Sequence, residues 1–217
     1  MKYFLSLILA TTALVSFNAC NNGSNKPATF ADTTCNNDTI KFSSDTDKHA
    51  KISIAIKDCA PAYIIWSNDE IENNIKKDLS KALGTSVRIN KDYTKAVFVD
   101  TTAWVFFNDL VTARSFQIKL SFAKTLSFKL NYKGLNSIDN KFAIADNLVV
   151  NTDRGNIFVE DMYTGKTAVM TFGKVLDIDF DNIHDHIDSI NITNDRIWAR
   201  FKLDNQWTEK EKKIVLE

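Results

Sequence analysis

Residues 115–133 read SFQIKLSFAKTLSFKLNYK, and this stretch decides the fold because apolar and polar side chains alternate along nearly all of it. The apolar members are Phe116, Ile118, Leu120 and Phe122, followed in the same rhythm by Leu126, Phe128, Leu130 and Tyr132. Successive side chains of a β-strand point to opposite faces, so this alternation indicates strands with one buried face. The stretch therefore predicts a β-hairpin of two antiparallel strands.

The same residues predict the register of the hairpin. A three-residue turn at 123–125 places apolar residues opposite each other, whereas a two-residue turn would pair apolar with polar residues. The predicted pairs are Phe122 with Leu126, Leu120 with Phe128, Ile118 with Leu130, and Phe116 with Tyr132. On the polar face, Lys119 then lies opposite Lys129, a mildly unfavourable pair unless an acidic group lies over it. We expect two solvated lysines that point apart; an anion site is the alternative.

Alternation continues on both sides of the hairpin and predicts a mainly β protein, an antiparallel sheet or meander arranged as a sandwich or a roll. The segment 104–107 is apolar throughout, which is typical of a central strand covered on both faces. Short strands separated by turn residues are predicted at 148–150, 156–160, 167–172, 175–180, 187–192, 197–203 and 213–216.

One segment departs from this alternation and predicts an amphipathic helix near residues 69–83. Its apolar residues fall four apart, at Ile71, Ile75, Leu79 and Leu83. Asn68 is a suitable N-cap, and Gly84 follows at the position where a helix would end. We expect this helix to pack on the sheet.

Residues 147–166 resemble one repeat of a quinoprotein-type propeller blade. In that repeat, two strands joined by a glycine turn precede an Asp-x-x-Thr-Gly-Lys-like turn, which Asp161, Thr164, Gly165 and Lys166 match. A closed propeller needs at least four blades of roughly 40 residues each, and one copy is visible. We therefore interpret the stretch as two hairpin turns.

The first twenty residues are typical of an export signal that ends on a cysteine. Lys2 supplies the positive start, and residues 3–17 contain no charge. The end of the segment resembles the signal of bacterial lipoproteins: Ala19 and Cys20 match, whereas Asn18 departs from the motif. The resemblance implies a signal peptide at 1–19, lipidation of Cys20, and a lipid-anchored protein of the cell envelope, on the periplasmic or surface face of the outer membrane. The alternative is a secretory peptide whose cleavage leaves Cys20 as an ordinary thiol.

The predicted mature chain consists of a flexible tether at 20–34 and a β-rich domain at 35–217, with a subdivision near 110–114 or 134–140 as an alternative. Removing residues 1–19 takes away one lysine from a chain with 27 basic and 27 acidic side chains. This balance gives no reason to expect nucleic acid as a partner. We expect contact with the membrane through the N-terminal lipid, and an envelope protein or a glycan as partner.

Two cysteines remain if Cys20 carries the lipid. An even pair outside the cytoplasm predicts a disulfide between Cys35 and Cys59. Closing this loop would stabilise the fold by roughly 3 kcal/mol on the chain-entropy model. Two buried free thiols are the alternative.

A dense group of acidic residues follows residue 175. Its carboxylates are Asp177, Asp179, Asp181, Asp185 and Asp188. On an extended strand the first three would share a face, so they could hold a hard cation such as calcium, and a metal-dependent hydrolase is one hypothesis for the activity. His184 and His186 could similarly share a face, although no third zinc ligand is evident. The alternative is a solvated strand face that runs into a polar turn.

Catalytic motifs do not stand out elsewhere, because the sequence has no Gly-x-Ser-x-Gly elbow and no phosphate-binding glycine loop. The aromatic residues offer a different hypothesis, a stacking surface for sugars. Trp207 is the tryptophan most expected to be exposed, since Asn205, Gln206 and Thr208 surround it. We expect a binding or structural role rather than catalysis, with no cofactor other than the calcium considered above; a metal-dependent hydrolase and a glycan-binding surface lipoprotein are the alternatives.

Overall fold

The computed structural model describes residue 34 and residues 37–45, 49–71, 74–123 and 127–217. The predicted signal peptide at 1–19, the predicted lipidation site Cys20 and the cysteine Cys35 lie outside the described residues. Within the described ranges, no helix is both long and apolar enough to cross a bilayer.

The described residues form three β-sheets, and the fold is mainly β and largely antiparallel, as predicted. The first sheet has the order β1-β2-β3-β4, and a short helix follows its last strand. These elements are β1 (Ile40–Ser43), β2 (Lys51–Lys57), β3 (Ala60–Ser67), β4 (Ile75–Asp78) and α1 (Leu79–Leu83).

The second sheet has seven strands and is curled into a half barrel. Its strands, from one edge to the other, are β12 (Thr167–Thr171), β11 (Asn156–Asp161), β10 (Leu148–Asp153), β8 (Phe128–Leu135), β7 (Ser115–Ser121), β6 (Thr102–Asn108) and β5 (Thr94–Val99). The residues of β6 at 104–107 are all buried, so the prediction of a strand covered on both faces is confirmed.

The third sheet contains β15 (Gln206–Lys213), β14 (Arg196–Leu203), β13 (Ile187–Ile192) and β9 (Phe142–Ile144), in that order. The pairing of β9 with β13 is parallel, and the other pairings are antiparallel. Short 3₁₀ helices lie at Lys91–Tyr93 and Phe180–Asp185.

Two large hydrophobic clusters in the described part lie on the same face of the seven-stranded sheet. One forms between the first sheet and β5–β8, where Ile54, Phe107 and Ile118 are fully buried. The other forms between β10–β12 and the third sheet, where Ile157 and Ile187 are fully buried. The change from one cluster to the other falls within β8, while the sheet itself continues across this point.

The opposite face of the seven-stranded sheet is concave. Strands β7 and β11 would lie about 14 Å apart in a flat sheet, since two strands separate them. Lys119 of β7 nevertheless approaches Glu160 of β11 to 2.8 Å on this face. A smaller apolar cluster that includes Trp104, Phe106 and Val149 fills part of the concavity.

The predicted hairpin register is confirmed for three pairs and wrong for a fourth. Leu120 lies opposite Phe128, Ile118 opposite Leu130, and Lys119 opposite Lys129. A β-bulge then shifts the register, so Ser115 lies opposite Gly134 and Phe116 is not paired with Tyr132. Leu126 and the residues 124–125 of the predicted turn lie outside the described residues. Lys129 is exposed, whereas Glu160 supplies the acidic group that lies over Lys119.

Gly134 has no side chain, and this leaves room for a contact that joins the two halves of the seven-stranded sheet. The Gln117 side chain lies over it, and its Nε2 donates to the carbonyl oxygens of Val150 at 2.7 Å and Leu135 at 3.3 Å. The described ladder between β8 and β10 contains two residue pairs. A Cβ atom on Gly134 would come within 2.6 Å of Gln117 Cδ, so any larger residue displaces this amide. Gln117 therefore supplements a short ladder with hydrogen bonds that pass over β8.

The predicted helix is present but begins ten residues later than its predicted start. Leu79–Leu83 is helical, Asp78 is its N-cap and accepts from the Lys81 N–H, and Gly84 ends it with φ +65°. Ile75–Asp78 instead forms a strand that pairs with β3. The apolar spacing fits both conformations, and the hydrogen bonds offered by the edge of β3 favour the strand.

Two predicted strands are placed wrongly. The segment 175–180 is not a strand, because the chain there leads into the 3₁₀ helix at Phe180–Asp185. The predicted strand at 213–216 lies at and beyond the end of β15, which spans Gln206–Lys213, and residues 214–216 are not in a strand. The side chains of β15 are mostly charged, which discourages further pairing at this exposed edge.

Two residues that flank Cys35 in sequence are held beside Cys59. Asn37 accepts a hydrogen bond from the Cys59 N–H at 3.0 Å. Thr34 accepts one from the Asn90 side chain at 2.6 Å, and the adjacent Ile89 N–H donates to the Cys59 carbonyl. The Cys35–Cys59 disulfide stays a prediction, because Cys35 lies outside the described residues.

Substitution of Gly134 by Ala should destabilise the protein by about 1–3 kcal/mol, because the added methyl group displaces a buried, hydrogen-bonded side chain. In a Gln117→Ala background the Gly134→Ala change should cost less than about 1 kcal/mol, because the clashing atoms of Gln117 are gone. Chemical denaturation of the two single variants and the double variant measures this difference in the free energy of unfolding. Equal losses in both backgrounds would show that Gln117 does not occupy the space over Gly134.

Peptide mapping of the unreduced protein should recover a fragment that links Cys35 to Cys59. Reduction should then lower the free energy of unfolding by roughly 3 kcal/mol, since the closed loop restricts the unfolded chain. Two alkylated thiols in protein that was never reduced would contradict the disulfide.

Candidate functional site

The acidic group at 177–188 does not assemble into a metal site. Asp179 caps the 3₁₀ helix by accepting from the Asp181 N–H at 3.0 Å. Asp181 pairs with Arg114 at 3.2 Å, and Asp188 lies 3.6 Å from Arg200. Asp177 and Asp185 are exposed. Among the residues that the structure describes, no group of three or more His, Cys, Asp or Glu side chains is placed to hold a metal ion.

His184 belongs to a structural contact. Its Nε2 lies 2.8 Å from a carboxylate oxygen of Asp139, and its Nδ1 lies 3.2 Å from the Ile187 carbonyl oxygen. Both ring nitrogens face oxygen atoms of the protein, so neither is directed toward an open position for a metal in this arrangement. Asp139 is almost fully buried and also accepts from the Lys141 N–H. The pair joins the 3₁₀ helix to the loop before β9, and sequence spacing gave no sign of it because 45 residues separate its members.

The tryptophans divide between core and surface. Trp66 and Trp104 are buried. Trp207 is 42% exposed, so its predicted exposure is confirmed, whereas its role in ligand binding stays a prediction. Trp198 is partly buried and lies on the same outward face of the third sheet.

A groove of about 700 Å³ lies beside the concave face, between strands β11 and β12 and the C-terminal segment. We call it the C-terminal groove and define it by Phe158, Glu160, Val169, Lys212, Lys213 and Val215. Phe158 lies opposite Val169 in the ladder between β11 and β12. Phe158, Val169 and Val215 are 39%, 42% and 75% exposed, so the groove presents apolar surface to solvent. Its volume is within the range of small-ligand sites, roughly 300–1,000 Å³.

Hydrogen bonds hold the C-terminal wall of the groove in place. Thr167, at the start of β12, exchanges two backbone hydrogen bonds with Glu217, at 2.9 and 3.1 Å. Lys212 Nζ donates to the Val169 carbonyl oxygen at 2.8 Å. The segment after β15 therefore leaves the third sheet and is fastened to the edge of the seven-stranded sheet.

Some charged side chains of the groove have an ion-pair partner and others do not. Glu160 pairs with Lys119, whose ammonium group lies 4.7 Å from the centre of the Trp104 ring, and both charged side chains are about one-third exposed. Lys213 and Lys212 form no ion pair with any residue in the described ranges. The groove therefore combines apolar walls with the Lys213 ammonium group, which is available to an anionic ligand, and with the Lys212 ammonium group, which keeps two N–H donors after its bond to the Val169 carbonyl oxygen.

This groove is not among the sites predicted from the sequence, although the sequence contains a signal for it. Phe158 occupies an outward position of a strand whose inward residues are Ile157 and Val159, and Val169 does the same in the next strand. Two large apolar residues at outward positions of adjacent strands indicate a covered or functional face. Val215 lines the groove only because of the path that the C-terminal segment takes. The alternation of apolar and polar residues does not predict that path.

The turn between β11 and β12, which leads into the groove, is organised by Asp161. Burial of this carboxyl group opposes ionisation, but hydrogen bonds from Thr164, Asn147 and Tyr163 favour the charged form, and together they hold the pKa of Asp161 below its usual range. Gly165 adopts φ +70° and donates to the Asp161 carbonyl. The interpretation of this motif as a hairpin turn agrees with the structure.

Comparison of the chain with protein-family models, with curated proteins and with solved structures finds no match. Any proposal about ligand binding is therefore based on the geometry described above.

Replacement of Asp161 by Asn should lower the free energy of unfolding by about 1 kcal/mol at neutral pH, because charge-assisted hydrogen bonds are lost. Since the folded-state pKa of Asp161 is lowered, its stabilisation is present above the unfolded pKa and is lost as the pH falls through the folded pKa. Denaturation of both proteins at several pH values should show the difference disappear in acid. Asp177→Asn, at an exposed position, is the matched control, and an equal effect there would contradict the role of Asp161.

Proposed function

We propose that this protein is a lipid-anchored component of the cell envelope that binds a ligand in the C-terminal groove. The proposal for the anchor depends on the sequence alone, on the resemblance of residues 1–20 to a lipoprotein signal that ends at Cys20. The proposal for binding depends on one structural observation, the exposed apolar walls of a groove large enough for a small molecule.

The chemistry of the groove favours an elongated amphipathic anion. Phe158, Val169 and Val215 would contact an apolar chain, and burying each such side chain contributes about 1–2 kcal/mol. Lys212 and Lys213 would attract a carboxylate or phosphate at one end of the chain. A binding role accounts for these features without a catalytic group, and a metal-dependent hydrolase has no comparable support among the described carboxylates.

Titration of the protein with dansyl-undecanoate, a fluorescent fatty-acid analogue, tests the groove. We expect saturable binding at one site with an increase in dansyl fluorescence. Val169→Ser should weaken binding by roughly tenfold, because it replaces an apolar contact of about 1.4 kcal/mol with a polar group. Val175→Ser makes the identical change at an exposed position outside the groove and should leave binding unchanged. Absence of saturable binding, or equal effects of the two variants, would contradict the proposal.

The anchor is tested by producing the full chain in a Gram-negative bacterium and fractionating the cells. We expect the protein in the membrane fraction, with a mass that corresponds to loss of residues 1–19 and acylation of Cys20. Cys20→Ser should remove the acyl groups and abolish processing at this position. An unmodified thiol at Cys20 in the mature protein would contradict the anchor and would leave the groove proposal unaffected.

A further inference from the structure

The outward face of the third sheet carries an aromatic and cationic surface that the C-terminal groove does not include. Strand β14 buries Ile197, Ala199 and Phe201 in the core and directs the alternate residues away from it. We define the Trp207 face by Arg196, Trp198, Arg200 and Lys202 of β14 and by Trp207 of β15. Trp207 lies opposite Lys202 in the ladder between these strands.

Cationic groups surround the exposed tryptophan ring. The Arg200 guanidinium lies 5.9 Å from the centre of the Trp207 ring, and Lys202 Nζ lies 6.0 Å from it. Asp188 holds Arg200 from the other side at 3.6 Å. Arg200 is therefore oriented before any ligand arrives, which lowers the entropy lost on binding.

A second guanidinium is oriented on the same strand. Arg196 donates to the Asn191 side chain at 3.1 Å and lies 3.6 Å from Glu211. Trp198 lies between Arg196 and Arg200 in the alternation of β14, so cationic and aromatic groups follow each other along one face. Planar guanidinium groups are suited to carboxylates and hydroxyl groups, and aromatic faces are suited to the C–H surfaces of sugar rings.

The charges near Trp207 favour an acidic ligand. Arg200 and Lys202 both approach its ring, and Lys202 has no carboxylate partner within the described ranges. Glu209 is the acidic residue of this neighbourhood on β15 and lies opposite Arg200. Asp188 pairs with Lys141 at 3.8 Å as well as with Arg200, so Arg200, Lys202 and Lys141 face two carboxylates, Asp188 and Glu209. This leaves positive charge on the face, while Glu209 remains available to accept from sugar hydroxyl groups.

We propose that the Trp207 face binds an acidic oligosaccharide, with a sugar ring stacked on Trp207 and a uronate carboxylate held between Arg200 and Lys202. This site is independent of the C-terminal groove and does not require the proposed fatty-acid-like ligand. Trp198 and Arg196 extend the surface for a neighbouring sugar.

Isothermal titration of the protein with tetragalacturonate tests the proposal, and the methyl ester of tetragalacturonate serves as a ligand of the same shape without the charges. We expect the acid to bind at least tenfold more tightly than the ester at low ionic strength. Trp207→Ala should weaken binding of the acid by at least tenfold, whereas Trp207→Phe should retain it within about threefold because a stacking ring remains.

Charge variants distinguish a direct contact with the ligand carboxylate from long-range electrostatic attraction. Lys202→Gln should weaken binding of the acid by about three- to tenfold and leave the ester unaffected. Lys91→Gln makes the same change at a remote exposed position and should have no effect. Val169→Ser should also leave tetragalacturonate binding unchanged, which distinguishes this site from the groove.

Three results would overturn the proposal. The first is no measurable binding of tetragalacturonate to the folded protein, and the second is equal affinity in the wild type and Trp207→Ala. The third is binding to phosphatidylglycerol vesicles that depends on Trp207 while the oligosaccharide does not bind, which would assign the face to a lipid surface. Circular dichroism of each variant confirms that loss of binding is not loss of folding.

Discussion

The side chain of Gln117 lying over Gly134 is the contact on which the rest of the structure depends. It carries hydrogen bonds from β7 to the carbonyls of Leu135 and Val150, at the point where the seven-stranded sheet has a two-pair ladder. On one side of this point the sheet packs against β1–β4, and on the other it packs against the third sheet. The buried Nε2 group of this amide, with two carbonyl partners, therefore links the parts of one continuous sheet that cover the two hydrophobic cores.

Curling of that sheet accounts for the positions of the two candidate binding surfaces. The concave side brings Lys119 to Glu160 and leaves Phe158 and Val169 facing the C-terminal segment, which Thr167 and Lys212 fasten to the sheet edge. The convex side is covered by the first and third sheets, so the third sheet directs its own alternate residues to solvent. One surface is thus a groove with apolar walls, and the other is an open face with an exposed tryptophan among cations.

Local alternation was enough to predict the class of fold, the buried strand β6 and three pairs of the central hairpin, because each depends on the period of side chains along one or two adjacent strands. The bulge beside Gln117 was not predictable in this way, since it depends on what lies across β8. The helix predicted near 69–83 is confined to Leu79–Leu83, because an edge of β3 that no local pattern reveals offers hydrogen bonds to Ile75–Asp78. The acidic group at 177–188 was interpreted as a strand face, whereas Asp179 bonds to nearby backbone and favours a 3₁₀ turn.

Exposure of Trp207 was predictable from its polar neighbours. The groove was not predictable, since its walls come from three separate segments.

Native-state hydrogen exchange of backbone amides tests most directly the claim that the Gln117 contact unites the two cores. In the wild-type protein, the slowest amides of β6 and β7 and those of β10 and β11 should exchange with the same free energy of opening, because they unfold together. In Gln117→Ala the second group should exchange through a separate opening of lower free energy. Two different opening free energies in the wild type, or a common one that survives Gln117→Ala, would contradict the account.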